Sequence, residues 1–100
     1  VARRLLIVLP RAQRQIAANA AWWRRNREKA PAAFDEDLDR AYDLILAHPD
    51  AGVAIRNTRR KGARCLHLGR IRYDLYYEVT DRAIFVLTIW HASRRPPRGL

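Results

Sequence analysis

The chain of 100 residues has one cysteine, no methionine, four glycines and only two lysines, Lys29 and Lys61. Each scarcity closes off a class. The lone Cys65 forms no internal disulfide, so no disulfide framework staples the fold; a reducing cytoplasm fits, and the thiol is expected in the core as a small hydrophobe. A single cysteine inside a strand also argues against thiol catalysis, and Ser93 has no triad signature. The glycines form no phosphate-cradling loop. His48, His67 and His91 stand far apart with no paired Cys or His spacing, so neither a metal nor another cofactor is expected. Long apolar runs are missing too. The longest, Ala83 to Trp90 with Thr88 inside it, is too short to span a bilayer. Leu5 to Leu9 follows Arg3-Arg4, but no signal-length apolar region or cleavage site comes after it. The expectation is a soluble, cytoplasmic protein with no membrane partner. With Val1 first and no methionine, the initiator is expected to be removed or to lie outside this sequence.

What the chain does have is positive charge. Lys plus Arg is 20 against 10 acidic residues, a net charge of +10, and nearly all the cations are arginines. Arginine suits bidentate recognition of carboxylate or phosphate and stacking on aromatic rings. Nucleic acid, a nucleic-acid machine or an acidic protein is the partner class this implies. Richness in Ala and Arg also follows from a GC-rich genome.

The apolar periodicity yields the fold class. Leu5 to Leu9 reads as a short buried strand that Pro10 ends. From Arg11 to about Glu28, Ala12, Ile16, Ala20 and Trp23 form one helical stripe. Pro31 suits the first turn of a second helix. Its buried face carries Phe34, Leu38, Ala41, Tyr42 and Ile45, and Asp35, Glu36, Asp37 and Asp39 occupy its early turns. His48-Pro49-Asp50-Ala51-Gly52 stops it. Short strands follow: Val53 to Ile55; one in which Leu66 and Leu68 share a face; then strict alternation of Ile71, Tyr73, Leu75, Tyr77 and Val79 against Arg72, Asp74, Tyr76 and Glu78. Thr80-Asp81-Arg82 is a hairpin turn, and Ala83 to Trp90 is apolar on both faces, as in an interior strand. The expected architecture is α+β, in the order β-α-α-β-β-β-β, with an N-terminal helical hairpin packed on an antiparallel sheet. Residues 1–95 are expected to form a single domain, and 96–100, with Pro96-Pro97, a loose tail.

Three places carry candidate chemistry. Trp22 lies one step off the apolar stripe beside Arg24, Arg25 and Arg27; it reads either as an aromatic anchor for a partner or as a helix end packed on its neighbour. Asn57-Thr58-Arg59-Arg60-Lys61 reads as a phosphate-type patch or as solvated loop charge. His91, with Arg94 and Arg95, leaves the last strand at its C-terminal end. There a histidine can act as general acid or base while arginines neutralise a phosphate.

In this order, several segments together resemble one family. They are Ala21-Trp22-Trp23, Phe34-x-x-x-Leu38-x-x-Ala41, His48-Pro49-x-x-Gly52, Thr58-Arg59-x-x-Gly62-x-Arg64, Arg72-Tyr73-x-x-Tyr76-Tyr77-x-Val79 and Ile89-Trp90-His91-x-x-Arg94. From the first strand to about Arg95 the chain resembles the ParE branch of the RelE/ParE superfamily, the toxins of bacterial toxin–antitoxin pairs. The resemblance implies a toxin that inhibits DNA gyrase without being an enzyme and is neutralised by a cognate ParD-like antitoxin in a hetero-oligomer. Contacts to target or antitoxin are then expected from Trp22, Arg59, Arg60, Lys61, Arg64, His91, Arg94 and Arg95.

RelE-type members are similar to small ribonucleases that cut messenger RNA on the ribosome. For that alternative, His91, Arg72, Arg94 and Arg95 are the phosphate-handling set. That pattern expects an arginine just before a Tyr-x-Val strand, and Tyr77-Glu78-Val79 places Asp74 there instead. No tyrosine follows His91 either. A plain basic nucleic-acid-binding module is the third reading, and neither a groove-reading helix nor an exposed strand aromatic pattern supports it.

Overall fold

The computed structural model describes residues 3–56, 58–95 and 97; the expected tail at 96–100 lies almost wholly outside them. Leu5–Val8 form β1 and Pro10–Asn26 form α1. Pro10 both ends the strand and opens the helix, where its missing N–H leaves no bond unmade. α1 buries Ala12, Ala20 and Trp23, with Ile16 packed against them, which is the expected stripe. α2, Ala33–Ala47, buries Phe34, Leu38, Ala41 and Ile45, and carries Asp35 and Glu36 in its first turn. Pro31 precedes this helix rather than opening it: Ala32 is the capping residue, and the Ala33 N–H turns back to the Ala30 carbonyl at 3.1 Å.

β2 (Val53–Ala54), β3 (Ala63–Leu68), β4 (Tyr73–Val79) and β5 (Ala83–His91) complete the expected order. The five-stranded sheet runs β1-β5-β4-β3-β2. From β2 to β5 every pairing is antiparallel. β1 joins parallel to β5, with Leu5 opposite Ala83 and Val8 opposite Val86, so the sheet is mixed. A parallel neighbour needs a long crossover, and here the rest of the domain supplies it.

β5 is an interior strand, as its two apolar faces require, but β1 covers only its first half. Beyond Val86 the open edge is capped by α1: Gln15 Oε1 accepts the Ile89 N–H at 3.0 Å and the Thr88 hydroxyl at 2.7 Å. The Ile89 donor at that edge is thereby met. β4 alternates as expected, with Leu75 and Tyr77 fully buried and Tyr73 and Val79 packed on the core. One irregularity interrupts it. Tyr76 faces Thr88 while Tyr77 faces Val86, so Leu87 is an extra residue in β5, a bulge that local periodicity does not reveal.

The turn after α2 is held from the sheet. The Tyr77 hydroxyl donates to the Pro49 carbonyl at 2.9 Å and accepts the Gly52 N–H at 2.8 Å. Arg64 donates to the carbonyls of Gly52 at 2.7 Å and Asp50 at 3.3 Å. Glycine is needed here by closeness of approach: a Cβ on residue 52 would lie 2.7 Å from the Tyr77 hydroxyl oxygen and 2.9 Å from the Cys65 carbonyl.

Cys65 is half-buried on β3 rather than enclosed in the core. Burial, then the charge of Asp74, pushes its thiol from 9.0 up to about 11, against a smaller opposing hydrogen bond from Tyr76. The folded state therefore holds this proton more tightly than the unfolded chain does. The resulting stability is intact below pH 9.0 and is lost as pH rises toward about 11. A denaturation midpoint that is level up to about pH 9 and then falls is the expected result. Near neutral pH, Cys65 should react with iodoacetamide much more slowly in the folded protein than in denaturant. Equal rates would contradict this environment.

Candidate functional site

A groove of about 550 Å³ lies between the C-terminal turns of α1 and the end of the sheet where β4 begins and β5 finishes. One wall is aromatic. Trp22 and Trp23 meet edge to face at 6.2 Å, and the Arg27 guanidinium lies over both rings, 4.8 Å from Trp22 and 5.5 Å from Trp23. Trp22 is 41% exposed, whereas Trp23 is 9% exposed.

The opposite wall is the β3–β4 turn. Ile71 is buried and anchors it. The Arg72 N–H bonds to the Leu68 carbonyl at 2.8 Å, and the Arg72 carbonyl accepts the Ala92 N–H at 2.9 Å. Arg72 is thereby held at φ 61°, a left-handed conformation that is costly for a residue with a Cβ. Arg70, in the same turn, makes a two-point pair with Asp37, each contact 3.1 Å, and reaches Glu36 at 3.3 Å. Its charge is therefore met within the fold. Arg27 and Arg72 have no carboxylate partner among the described residues.

Tyr73 and His91 form the floor, edge to face at 5.2 Å, with Tyr73 packed in turn on Phe34 at 5.4 Å. The Tyr73 hydroxyl donates to Asn19 Oδ1 at 3.2 Å. Burial raises its pKa above 10.0; the Trp23 indole and Arg94 pull the other way more weakly, so the phenol stays neutral at physiological pH. The Trp23 N–H is fully enclosed and approaches the Tyr73 hydroxyl without reaching good hydrogen-bond geometry. The His91 ring is oriented by Ser93, whose N–H reaches Nδ1 at 3.2 Å and whose hydroxyl lies 2.6 Å from it. An accepting Nδ1 leaves the proton of the neutral ring on Nε2.

The residues expected to form one contact surface fall into two places. Trp22, His91 and Arg72 line the groove. The basic loop carrying Arg59, Arg60 and Lys61 lies toward the other end of β4, where Arg60 pairs with Glu78 at 3.2 Å. From Tyr73 to Glu78 is about 16 Å at the usual strand rise. Asn57 of that loop is outside the described residues. Arg64 is engaged in holding the α2–β2 turn. Arg94 stacks on Trp90 at 4.1 Å, and the Trp90 indole donates to the Arg95 carbonyl at 2.6 Å, so this pair folds over the strand end rather than into the groove. Sequence reasoning passed over Asn19 and Arg70, and named Arg27 only as a neighbour of Trp22. Only Arg27 had a local signal, since it lies one helical turn after Trp23 and stacks back on it.

Asp74, where the RelE-type pattern expects an arginine, accepts from or is paired with His67 Nδ1 at 2.8 Å. Among the described residues no cluster of three His, Cys, Asp or Glu could hold a metal, and no helix is long and apolar enough to cross a membrane.

A mixed sheet backed by a helical hairpin is the architecture of a recognised class of small toxins. Residues 6–96 match the family model described as the ParE toxin of the type II toxin–antitoxin system parDE; the chain belongs to that family. The fold is also that of several solved structures. The chromosomal ParDE TA system from P. aeruginosa matches with TM-score 0.70 and 22% identity, over 91% of this chain and 98% of that one. The E. coli DinJ-YafQ toxin–antitoxin complex matches with TM-score 0.63 and 14% identity, over 90% and 93%. The YoeB dimer from Staphylococcus aureus matches with TM-score 0.56 and 16% identity, over 89% and 97%. No curated protein sequence matches significantly.

Proposed function

We propose that this member of the ParE family inhibits DNA gyrase by binding it and is neutralised by a cognate ParD-like antitoxin. The observation that carries the choice is Asp74. Transition-state charge on a scissile phosphate needs preorganised cations, and losing one such donor costs about 10²–10³ in rate. Here a carboxylate, tied to His67 at 2.8 Å, stands in that donor's place. The antitoxin proposal rests on the net charge of +10 and on an apolar hollow between α2 and β3, where Leu44 is 42% exposed beside Leu66 and Leu68. An acidic segment that folds on binding and sets apolar side chains there would gain speed from charge and lifetime from burial. Both partners are to be sought in the cytoplasm.

The test is a supercoiling assay with purified gyrase. Inhibition with accumulation of cleaved DNA is expected, and His91→Ala should leave it largely intact, because no proton transfer is asked of that ring. The ribonuclease reading has one observation in its favour: His91 and Arg72 share a groove. It expects cuts in messenger RNA on translating ribosomes that weaken about 10²–10⁴-fold in His91→Ala. Such cuts, with gyrase unaffected, would replace the first reading with the second.

A further inference from the structure

We infer that the groove between α1 and the β3–β4 turn is a binding site for a nucleoside phosphate, with the phosphate among Arg27, Arg72 and His91 and the base against Trp22. This goes beyond gyrase inhibition and needs no cleavage chemistry.

Two independent features point there. The first is the conformation of Arg72. At φ 61° the cheap residue is glycine, and glycine is used at another left-handed position, Gly62 at φ 77°. An arginine kept in this conformation at the rim of a groove places a guanidinium where a strain-free residue would place nothing; such strain gathers at ligand sites. The second is the sign of the lining. Among the described residues no carboxylate lines the groove, Arg70 is already neutralised by Asp37 and Glu36, and two lining arginines without such partners, Arg27 and Arg72, remain.

The donors also fix the shape of the ligand. They come from α1, from the β3–β4 turn and from the end of β5, so they approach from different sides. A planar carboxylate offers two oxygens in one plane, whereas a phosphate monoester offers three around a tetrahedral centre, which suits several separate donors. His91, with Nδ1 engaged by Ser93, presents Nε2–H as one of them. About 550 Å³ is far more than a bare phosphate needs and lies within the range of small-molecule sites. The exposed indole of Trp22, already stacked by Arg27 at 4.8 Å, supplies the flat face a base requires.

The experiment is a titration of the full chain with AMP, followed by tryptophan fluorescence and by calorimetry, with adenosine, inorganic phosphate and an acidic Asp/Glu/Leu peptide as comparisons. Saturable AMP binding is expected, at least about tenfold tighter than adenosine or phosphate alone, and weakening with salt. Arg72→Gly should lower AMP affinity about tenfold, the effect of losing one charge-assisted hydrogen bond, with a melting temperature unchanged or raised because the backbone strain is relieved. Arg27→Gln, at an exposed position, should weaken AMP without unfolding the protein. A 5′-phosphorylated tetranucleotide that binds more tightly than AMP would identify a strand end as the source of the ligand; equal binding would identify the free nucleotide. Absence of saturable AMP binding, AMP binding indifferent to both substitutions, or binding of the peptide alone would overturn the inference. None of these outcomes depends on the gyrase assay, so either proposal can fail without the other.

Discussion

Trp23→Ala is expected to remove a large share of the protein's stability, whereas Trp22→Ala is expected to leave most of it in place. The two residues are adjacent and chemically identical, so the contrast isolates their position on α1. Trp23 is 9% exposed and belongs to the core cluster with Phe34, Leu38 and Ile71. Deleting a buried aromatic costs about 3–5 kcal/mol, and a domain of this size has a total stability of about 5–15 kcal/mol. Trp22, 41% exposed, loses its stacking with Arg27 and part of its contact with Trp23, about 0.5–1 kcal/mol for an exposed cation–π pair. Thermal melts of the two variants decide the matter; equal melting temperatures would contradict the helical phase.

Gly52→Ala is expected to be nearly as damaging, although it adds a single methyl group. The new Cβ would sit 2.7 Å from the Tyr77 hydroxyl oxygen. Tyr77 is fully buried, and its hydroxyl holds both the Gly52 N–H at 2.8 Å and the Pro49 carbonyl at 2.9 Å. Relief therefore means displacing an aromatic ring within the core or opening the α2–β2 turn. Overpacking and the loss of two buried hydrogen bonds together cost about 2–4 kcal/mol. The double-mutant cycle with Tyr77→Phe locates the strain. Removing the hydroxyl removes the nearest of the three atoms the methyl meets, with the Cys65 carbonyl oxygen and Tyr77 Cε1 remaining at 2.9 Å, so the double variant should be less destabilised than the sum of the singles, by about 0.5 kcal/mol or more. Strict additivity in urea titrations would place the clash elsewhere.

How much of this was legible in the sequence follows the range of the interactions. The α1 stripe, the Phe34–Ile45 face of α2 and the alternation of β4 are local patterns, and each is where its period placed it. The hairpin turn at Thr80-Asp81-Arg82 is local too, and the Thr80 N–H closes on the Ala83 carbonyl at 2.9 Å. What periodicity cannot carry is which distant element becomes a neighbour. The parallel docking of β1, Gln15 capping the edge of β5 and Arg70 clamping Asp37 join residues far apart in the chain. Arg64 illustrates the same limit within the candidate site: a basic side chain near a basic loop reads as an exposed contact, yet its partners are carbonyls of another turn. Arg72 fits the strand alternation so well that nothing in the pattern announces its left-handed backbone. Trp22 and His91 were recognisable as residue types, but their meeting in one groove with Arg27 and Arg72 is a product of the tertiary fold.

The parallel pairing of β1 with β5 also sets an order of events in time. β3, β4 and β5 pair with their immediate neighbours in sequence, while Leu5 to Val8 must wait for Ala83 to Val86. Closing a long loop is entropically dearer than closing short ones, so the first strand made is expected to be the last to dock. Leu6→Ala should accordingly speed unfolding and leave refolding almost unchanged, a split visible in the two arms of a chevron plot. During synthesis the first strand emerges long before its partner exists. A chain that stops short of Ala83 cannot carry the finished sheet, so this fold forms only once β5 has emerged.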